Sequence, residues 1–204
     1  MKKNLLLLPF LYFLITSFCI TIPAEESTAQ HLRLKAKSAE ALAYCKKNKL
    51  STDHCVLIDM KIHSGKKRAY LWSFKKDTIV LAGMCSHGCC SNPWGTATTK
   101  NNPSFSNVPD SHCSSLGKYK VGARGYSSWG IHVNYKLHGL EASNANALKR
   151  EIVLHSWEDV PADEVYPAGI PEGWGCPAVS NVFMKTLDEK LKASATPVLL
   201  WIFN

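Results

Sequence analysis

Apolar and polar positions alternate from Val56 to His63, with Val56, Ile58, Met60 and Ile62 set against Leu57, Asp59, Lys61 and His63. That is the period of a half-buried strand. Ser64-Gly65 supplies a turn, and residues 68–74 and 78–84 read as two further strands around Lys75-Lys76-Asp77, so 55–84 predicts an antiparallel meander. Before it, Leu32, Ala36, Ala39 and Ala43 recur at helical spacing amid Lys, Arg and Glu. They predict one amphipathic helix over 31–48 that packs on the domain.

From residue 85 to 116 the chain is rich in Ser, Asn, Gly, Pro and Thr and loses its periodicity, which in a compact domain marks a functional or cross-linked loop. Strand patterns return at 119–123 and 131–137, followed by a short helix near 145–149 and a strand over 151–155. A second irregular stretch spans 156–175. Residues 179–192 then predict a helix whose face is Val182, Phe183, Leu187 and Leu191, and 197–203 reads as a closing buried strand. No internal repeat is visible. The sum is a mainly β, mainly antiparallel domain with a few peripheral α-helices. It divides into a leader (1–24), a helical segment (25–54) and a single domain (55–204).

The leader rests on a basic start, Met1-Lys2-Lys3-Asn4, an apolar run through Ile15, and the small residue Ala24 before Glu25-Glu26. These are the three parts of a secretory signal. An uncleaved anchor, or lipid attachment at Cys19, would be the other two uses of the same segment. Export to the periplasm or cell envelope is therefore expected, with membrane contact only through such an anchor. Lys plus Arg number 24 against 16 Asp plus Glu, for a formal charge of +8. The lysines are scattered, so a nucleic-acid interface is not expected, and an anionic envelope polymer or a merely solvated basic face suits the charge.

Eight cysteines include Cys19, leaving Cys45, Cys55, Cys85, Cys89, Cys90, Cys113 and Cys176 beyond the leader. An odd number leaves at least one unpaired, and in an oxidising compartment the other six could form up to three disulfides; several could equally be buried and reduced. Cys89 and Cys90 are too close in the chain to bridge each other. Cys85, His87, Cys89, Cys90, His112 and Cys113 include good zinc ligands, but their spacing matches no usual zinc pattern. Neither a metal nor an organic cofactor is expected.

Cys176 is the candidate free thiol, in Glu172-Gly173-Trp174-Gly175-Cys176-Pro177-Ala178-Val179. His155 precedes it at the end of the apolar run Ile152-Val153-Leu154. A thiol becomes a nucleophile when a base or cation raises its thiolate fraction, and an imidazole is the usual base. Taken alone, each would more often be structural, the Cys buried or bridged and the His satisfied by backbone. Peptidases of the papain type place Cys well before His, so the order here points elsewhere.

These blocks resemble the L,D-transpeptidase catalytic domain of bacterial cell-wall enzymes, in the branch reading His, a variable loop, then Ser-x-Gly-Cys-Pro-Ala. Further blocks in order are Ser104-Phe105-Ser106-Asn107 with Ser114-Ser115-Leu116-Gly117, and His138-Gly139-Leu140-Glu141 with Asn146-Ala147 and Arg150. The resemblance spans about 55–204. Gly173 stands where the family has the motif Ser, and Glu172 where an Arg often precedes it.

The resemblance implies an antiparallel β-sandwich or barrel and a cysteine acyltransferase acting on peptidoglycan stem peptides. Cys176 would attack, His155 would carry the proton, and D-Ala would leave a thioester that a neighbouring stem amine resolves into a 3–3 cross-link. Backbone N–H groups at Trp174, Gly175 and Cys176 would hold the oxyanion, and Ser156 would bind substrate or hold the loop. Two other outcomes stay open: an L,D-carboxypeptidase, if water resolves the thioester, and a non-catalytic, disulfide-stapled wall-binding protein.

Overall fold

A computed structural model of the chain describes residues 24–204. The expected leader, with Cys19, lies outside the described residues save for Ala24. The elements in chain order are α1 (Ala24–Asn48), β1 (His54–Asp59), β2 (Ala69–Ser73), β3 (Thr78–Gly83), β4 (Gly117–Tyr126), β5 (Val133–Gly139), β6 (Val153–Ser156), β7 (Ala178–Val179), α2 (Asn181–Lys192) and β8 (Leu199–Phe203). The eight strands form one sheet in the order β3-β2-β1-β8-β4-β5-β6-β7. The β1–β8 and β6–β7 pairs are parallel and the rest antiparallel. Cys85, just past β3, bridges Val179 of β7, and Ser86 N–H donates to Ala178 O at 2.7 Å, so the sheet curls into a nearly closed barrel.

The expected mainly β fold with peripheral helices is the fold adopted. The meander β1-β2-β3 is as predicted, but β1 is not half-buried. Val56, Ile58 and Met60 enter the barrel core, while Cys55 and Leu57 pack on the other face with Tyr70, Trp72, Leu199, Trp201 and Phe203 beneath α1. α1 covers that face with Leu34, Ala41 and Cys45, and the predicted Leu32, Ala36, Ala39 and Ala43 face is the exposed one. Three of those four positions are alanines, which carry little apolar area; Leu34 and Cys45 set the phase. Arg33 seals the junction through an ion pair with buried Asp59 at 3.0 Å.

α2 begins at Ser180, whose hydroxyl accepts the Phe183 N–H. It buries Phe183, Met184, Leu187 and Leu191 in the barrel core, and Val182 points to solvent instead of joining that face. The short helix near 145–149 is instead a run of turns after a single 3-10 turn at Ala142–Asn144. Asparagine side chains there bond backbone directly: Asn144 takes Glu141 N–H at 2.9 Å and donates to Lys118 O at 2.8 Å, and Asn146 donates to Asn107 O at 3.0 Å. Such bonds compete with helical ones.

Only one disulfide closes among the described residues, Cys90–Cys113. Cys45, Cys55, Cys85 and Cys89 are buried free thiols, so the maximum of three bridges is not reached. Cys45 and Cys55 lie in the core under α1 and Cys85 in the barrel core, where a thiol behaves as a small apolar side chain. Among the described residues Cys176 is the one free thiol that is only half-buried.

Candidate active site

Sheet pairing brings the two chemical residues together. His155 of β6 is in register with Asn134 on one side and Ala178 on the other, and Cys176 stands two residues before Ala178. Both side chains line one cavity of about 250 Å³, with Trp94, Trp129, Trp157 and Trp174.

The imidazole orientation is settled by its neighbour. His155 Nδ1 lies 2.9 Å from Ser156 O, a carbonyl that only accepts, so Nδ1 carries the proton and Nε2 keeps its lone pair. Burial lowers the His155 pKa, offset in part by the Ser156 carbonyl and by Glu158. Cys176 Sγ accepts Val153 N–H at 3.4 Å and points its own weak donor towards Glu151 O at 3.9 Å. Burial raises the thiol pKa, offset by the Val153 N–H and the Arg150 charge. A base pushed down beside an acid pushed up favours the neutral pair over a thiolate–imidazolium pair in the resting site.

Alkylation tests this directly. With iodoacetamide and no substrate, the rate at Cys176, read by mass spectrometry of its peptide, rises with pH to a midpoint above the ordinary thiol value of about 8.5. Arg150→Met moves that midpoint further up, because it removes a charge that favours the thiolate.

The loop before Cys176 turns at Gly175, where φ is +101°. A Cβ there would stand 2.5 Å from Cys113 O, so only glycine fits. Ser114 Oγ donates to Gly175 O at 3.1 Å. Among the described residues no acceptor takes the N–H groups of Trp174, Gly175 and Cys176. Beneath them Arg150 donates to Ser106 O at 2.9 Å, Ser115 Oγ at 2.6 Å and Cys113 O at 2.5 Å. It braces the loop and supplies the nearby positive charge, a role its place in the sequence did not disclose. Trp174 is exposed on the rim. Ser156 is fully buried, and its hydroxyl accepts Ile131 N–H at 2.9 Å, which makes it a holder of the Trp129 loop rather than a group facing the cavity.

Glu172 and Gly173, the two departures from the motif, have separate accounts. Glu172 is fully buried, and its Oε1 accepts Thr99 N–H at 2.5 Å and Thr99 Oγ1–H at 3.1 Å. Thr99 Oγ1 in turn accepts from His87 Nε2 at 2.9 Å, and His87 Nδ1 accepts from buried Arg68 at 2.7 Å. Every donor in this chain has one direction, because a guanidinium only donates. Burial and the Arg68 charge hold His87 neutral, its pKa down to about 3. Arg68 and Glu172 are thus a buried cation and anion joined through two neutral groups. Gly173 is simpler: a Cβ would meet only Ser86 Oγ, at 4.0 Å. Gly173→Ser is expected to shift stability by less than about 0.5 kcal/mol, checked by thermal unfolding.

Nothing in the local sequence singled out Trp94, Trp129 and Trp157 as cavity residues. A signal was present: Trp94-Gly95, Trp129-Gly130 and Trp174-Gly175 are three Trp-Gly pairs in loops, and all three glycines have positive φ.

Two solved structures are similar to this chain at low identity. An L,D-transpeptidase from Xylanimonas cellulosilytica has 12% identity and a TM-score of 0.42, over 75% of this chain and 61% of that one. A helical cell shape determining protein from Campylobacter jejuni has 12% identity and a TM-score of 0.45, over 73% of this chain and 46% of that one. The chain therefore spans less than two thirds of either. No curated protein matches it. The model of the L,D-transpeptidase catalytic domain matches residues 26–201, nearly the whole described chain, and the protein belongs to that family.

Proposed function

We propose that the protein is an exported cysteine L,D-transpeptidase that acts on peptidoglycan stem peptides through a thioester. The observation that carries this reading is the placement of Cys176 and His155 on one cavity, with the His155 proton held on Nδ1. His155 Nε2 takes the thiol proton as sulfur attacks the carbonyl between the third stem residue and D-Ala. The oxyanion is held by backbone N–H groups of the 174–176 loop, with Arg150 contributing positive potential. Collapse breaks the C–N bond, and His155 returns its proton to the departing D-Ala amine. The side-chain amine of a second stem then attacks the thioester, passes its proton to His155, and frees Cys176 with a 3–3 cross-link formed. Ser156 serves by holding the Trp129 loop. The 1–24 pattern and the Cys90–Cys113 bridge support export, since disulfides persist in oxidising compartments.

Incubating the reduced, purified protein with disaccharide tetrapeptide and reading the products by mass spectrometry tests the proposal. Dimer with D-Ala release is the expected result. Free tripeptide alone makes the protein a carboxypeptidase, and no product with Cys176 reduced and intact makes it a non-catalytic wall binder. The pH profile is a second expectation. His155 must be neutral to act, and burial lowers its pKa, so kcat/KM stays high below the ordinary imidazole value of about 6.5 and falls only at lower pH.

A further inference from the structure

We infer that Trp94, Trp129 and Trp174 form a saccharide-stacking wall that continues the catalytic cavity and holds the glycan carrying the donor stem. The inference rests on the stem-peptide reading above and extends it to the sugar. Four of the chain's six tryptophans line this one cavity, whereas Trp72 and Trp201 pack beneath α1. Trp94, Trp129 and Trp174 are 47%, 44% and 61% exposed. Three large apolar faces held together in water are unfavourable unless something covers them.

The wall is built rather than incidental. Trp94 lies 6.1 Å from Trp174 and 6.2 Å from Trp129, ring centre to ring centre. Buried Trp157 backs it, stacked on Trp94 at 5.3 Å and edge-on to Trp129 at 6.0 Å. Each exposed indole sits on a Trp-Gly turn, and each turn is pinned by a polar group. Gly95 N–H donates to Glu172 O at 3.0 Å, Gly130 N–H to a Glu158 carboxylate oxygen at 2.7 Å, and Gly175 O accepts from Ser114 Oγ at 3.1 Å. Three loops far apart in sequence thus present their rings to one place at no further ordering cost.

The shape and charge of the wall select the ligand class. Adjacent exposed rings are inclined by 47° and 51°, which makes a curved surface for a row of flat groups. A cage around a single cation would need the faces to converge on a point. Among the described residues no Lys or Arg lines the cavity, so a polyanionic strand would lack phosphate partners there. A pyranose ring fits: its C–H face meets the electron-rich indole face while its hydroxyls stay at the wet edge.

The test compares two donors with the same stem, disaccharide tetrapeptide and free tetrapeptide. The wild-type protein is expected to favour the sugar-bearing donor in kcat/KM by about tenfold. Trp129→Ala collapses that ratio towards one, and Trp129→Tyr, which keeps a ring, restores most of it. Equal use of both donors by the wild type overturns the inference, as does a Trp129→Ala variant that slows both by one factor. If neither donor turns over, the stem-peptide reading fails and the wall is judged by binding. Titration with the peptide-free disaccharide, followed by indole fluorescence, should give a saturable change that Trp129→Ala abolishes; no change in the wild type overturns the wall as well.

Discussion

Cys176→Ser is expected to reduce turnover of a tetrapeptide donor by at least roughly 10³-fold, with thermal unfolding almost unmoved. The two side chains are close in shape, so the half-buried position tolerates the exchange. The chemistry does not tolerate it. Burial weakens His155 as a base, and in the proposed mechanism it deprotonates a thiol whose pKa is raised. A hydroxyl is a far weaker acid than a thiol, and the Arg150 charge only partly offsets the cost of forming an anion at this buried position. Measured turnover within tenfold of the wild type would mean that Cys176 is not the nucleophile.

Glu172→Arg, which restores the residue often found at this place in the family, is expected to destabilise the protein by about 3–5 kcal/mol. For a chain of this size that lowers the melting temperature by roughly 10 °C. The new guanidinium would be buried at the Thr99 end of the network in place of an anion, leaving Asp59 as the carboxylate that acts on Arg68. Thr99 N–H and Oγ1 would also lose their acceptor. Glu172→Gln keeps an acceptor for Thr99 and is expected to cost less, about 1–3 kcal/mol. Circular dichroism on heating measures both. A Glu172→Arg protein as stable as the wild type would show that the buried pair does not anchor the loop. The family motif at this position is therefore replaced by a different device, one that depends on Arg68, His87 and Thr99 as well.

The strands were legible because their apolar periods are local: 56–62, 68–74 and 78–84 needed only a few residues each. The faces of the helices were less so. In α1 an alanine row imitated the buried stripe, and Leu34, Ala41 and Cys45 were the true one. Of the two readings left open for the cysteines, bridged or buried and reduced, Cys45, Cys55 and Cys85 follow the second and serve as core side chains. The candidate site shows the same division. Cys176, His155, Trp174 and Gly175 lie in recognisable local blocks, and Cys176, His155 and Trp174 line one cavity. Arg150 was visible as part of a block without its role, and the bond from Ile131 N–H to the Ser156 hydroxyl was not legible at all.

Residue type and spacing thus sufficed for the β-rich class and most of the elements, which depend on short-range periodicity, and with the family resemblance they pointed to Cys176 and His155 as the candidate reacting groups. Tertiary structure alone decided the rest. The central place of β8, the burial of both faces of β1 and the adjacency of β6 and β7 come from pairings between distant segments, which no local period encodes. The same long-range closure puts Cys176 and His155 on one cavity, links Arg68 to Glu172 through His87 and Thr99, and gathers three tryptophans from Trp-Gly turns around that cavity. Those contacts are worth forming only once the barrel has excluded water from between them, so their partners cannot be named from the residues taken one stretch at a time.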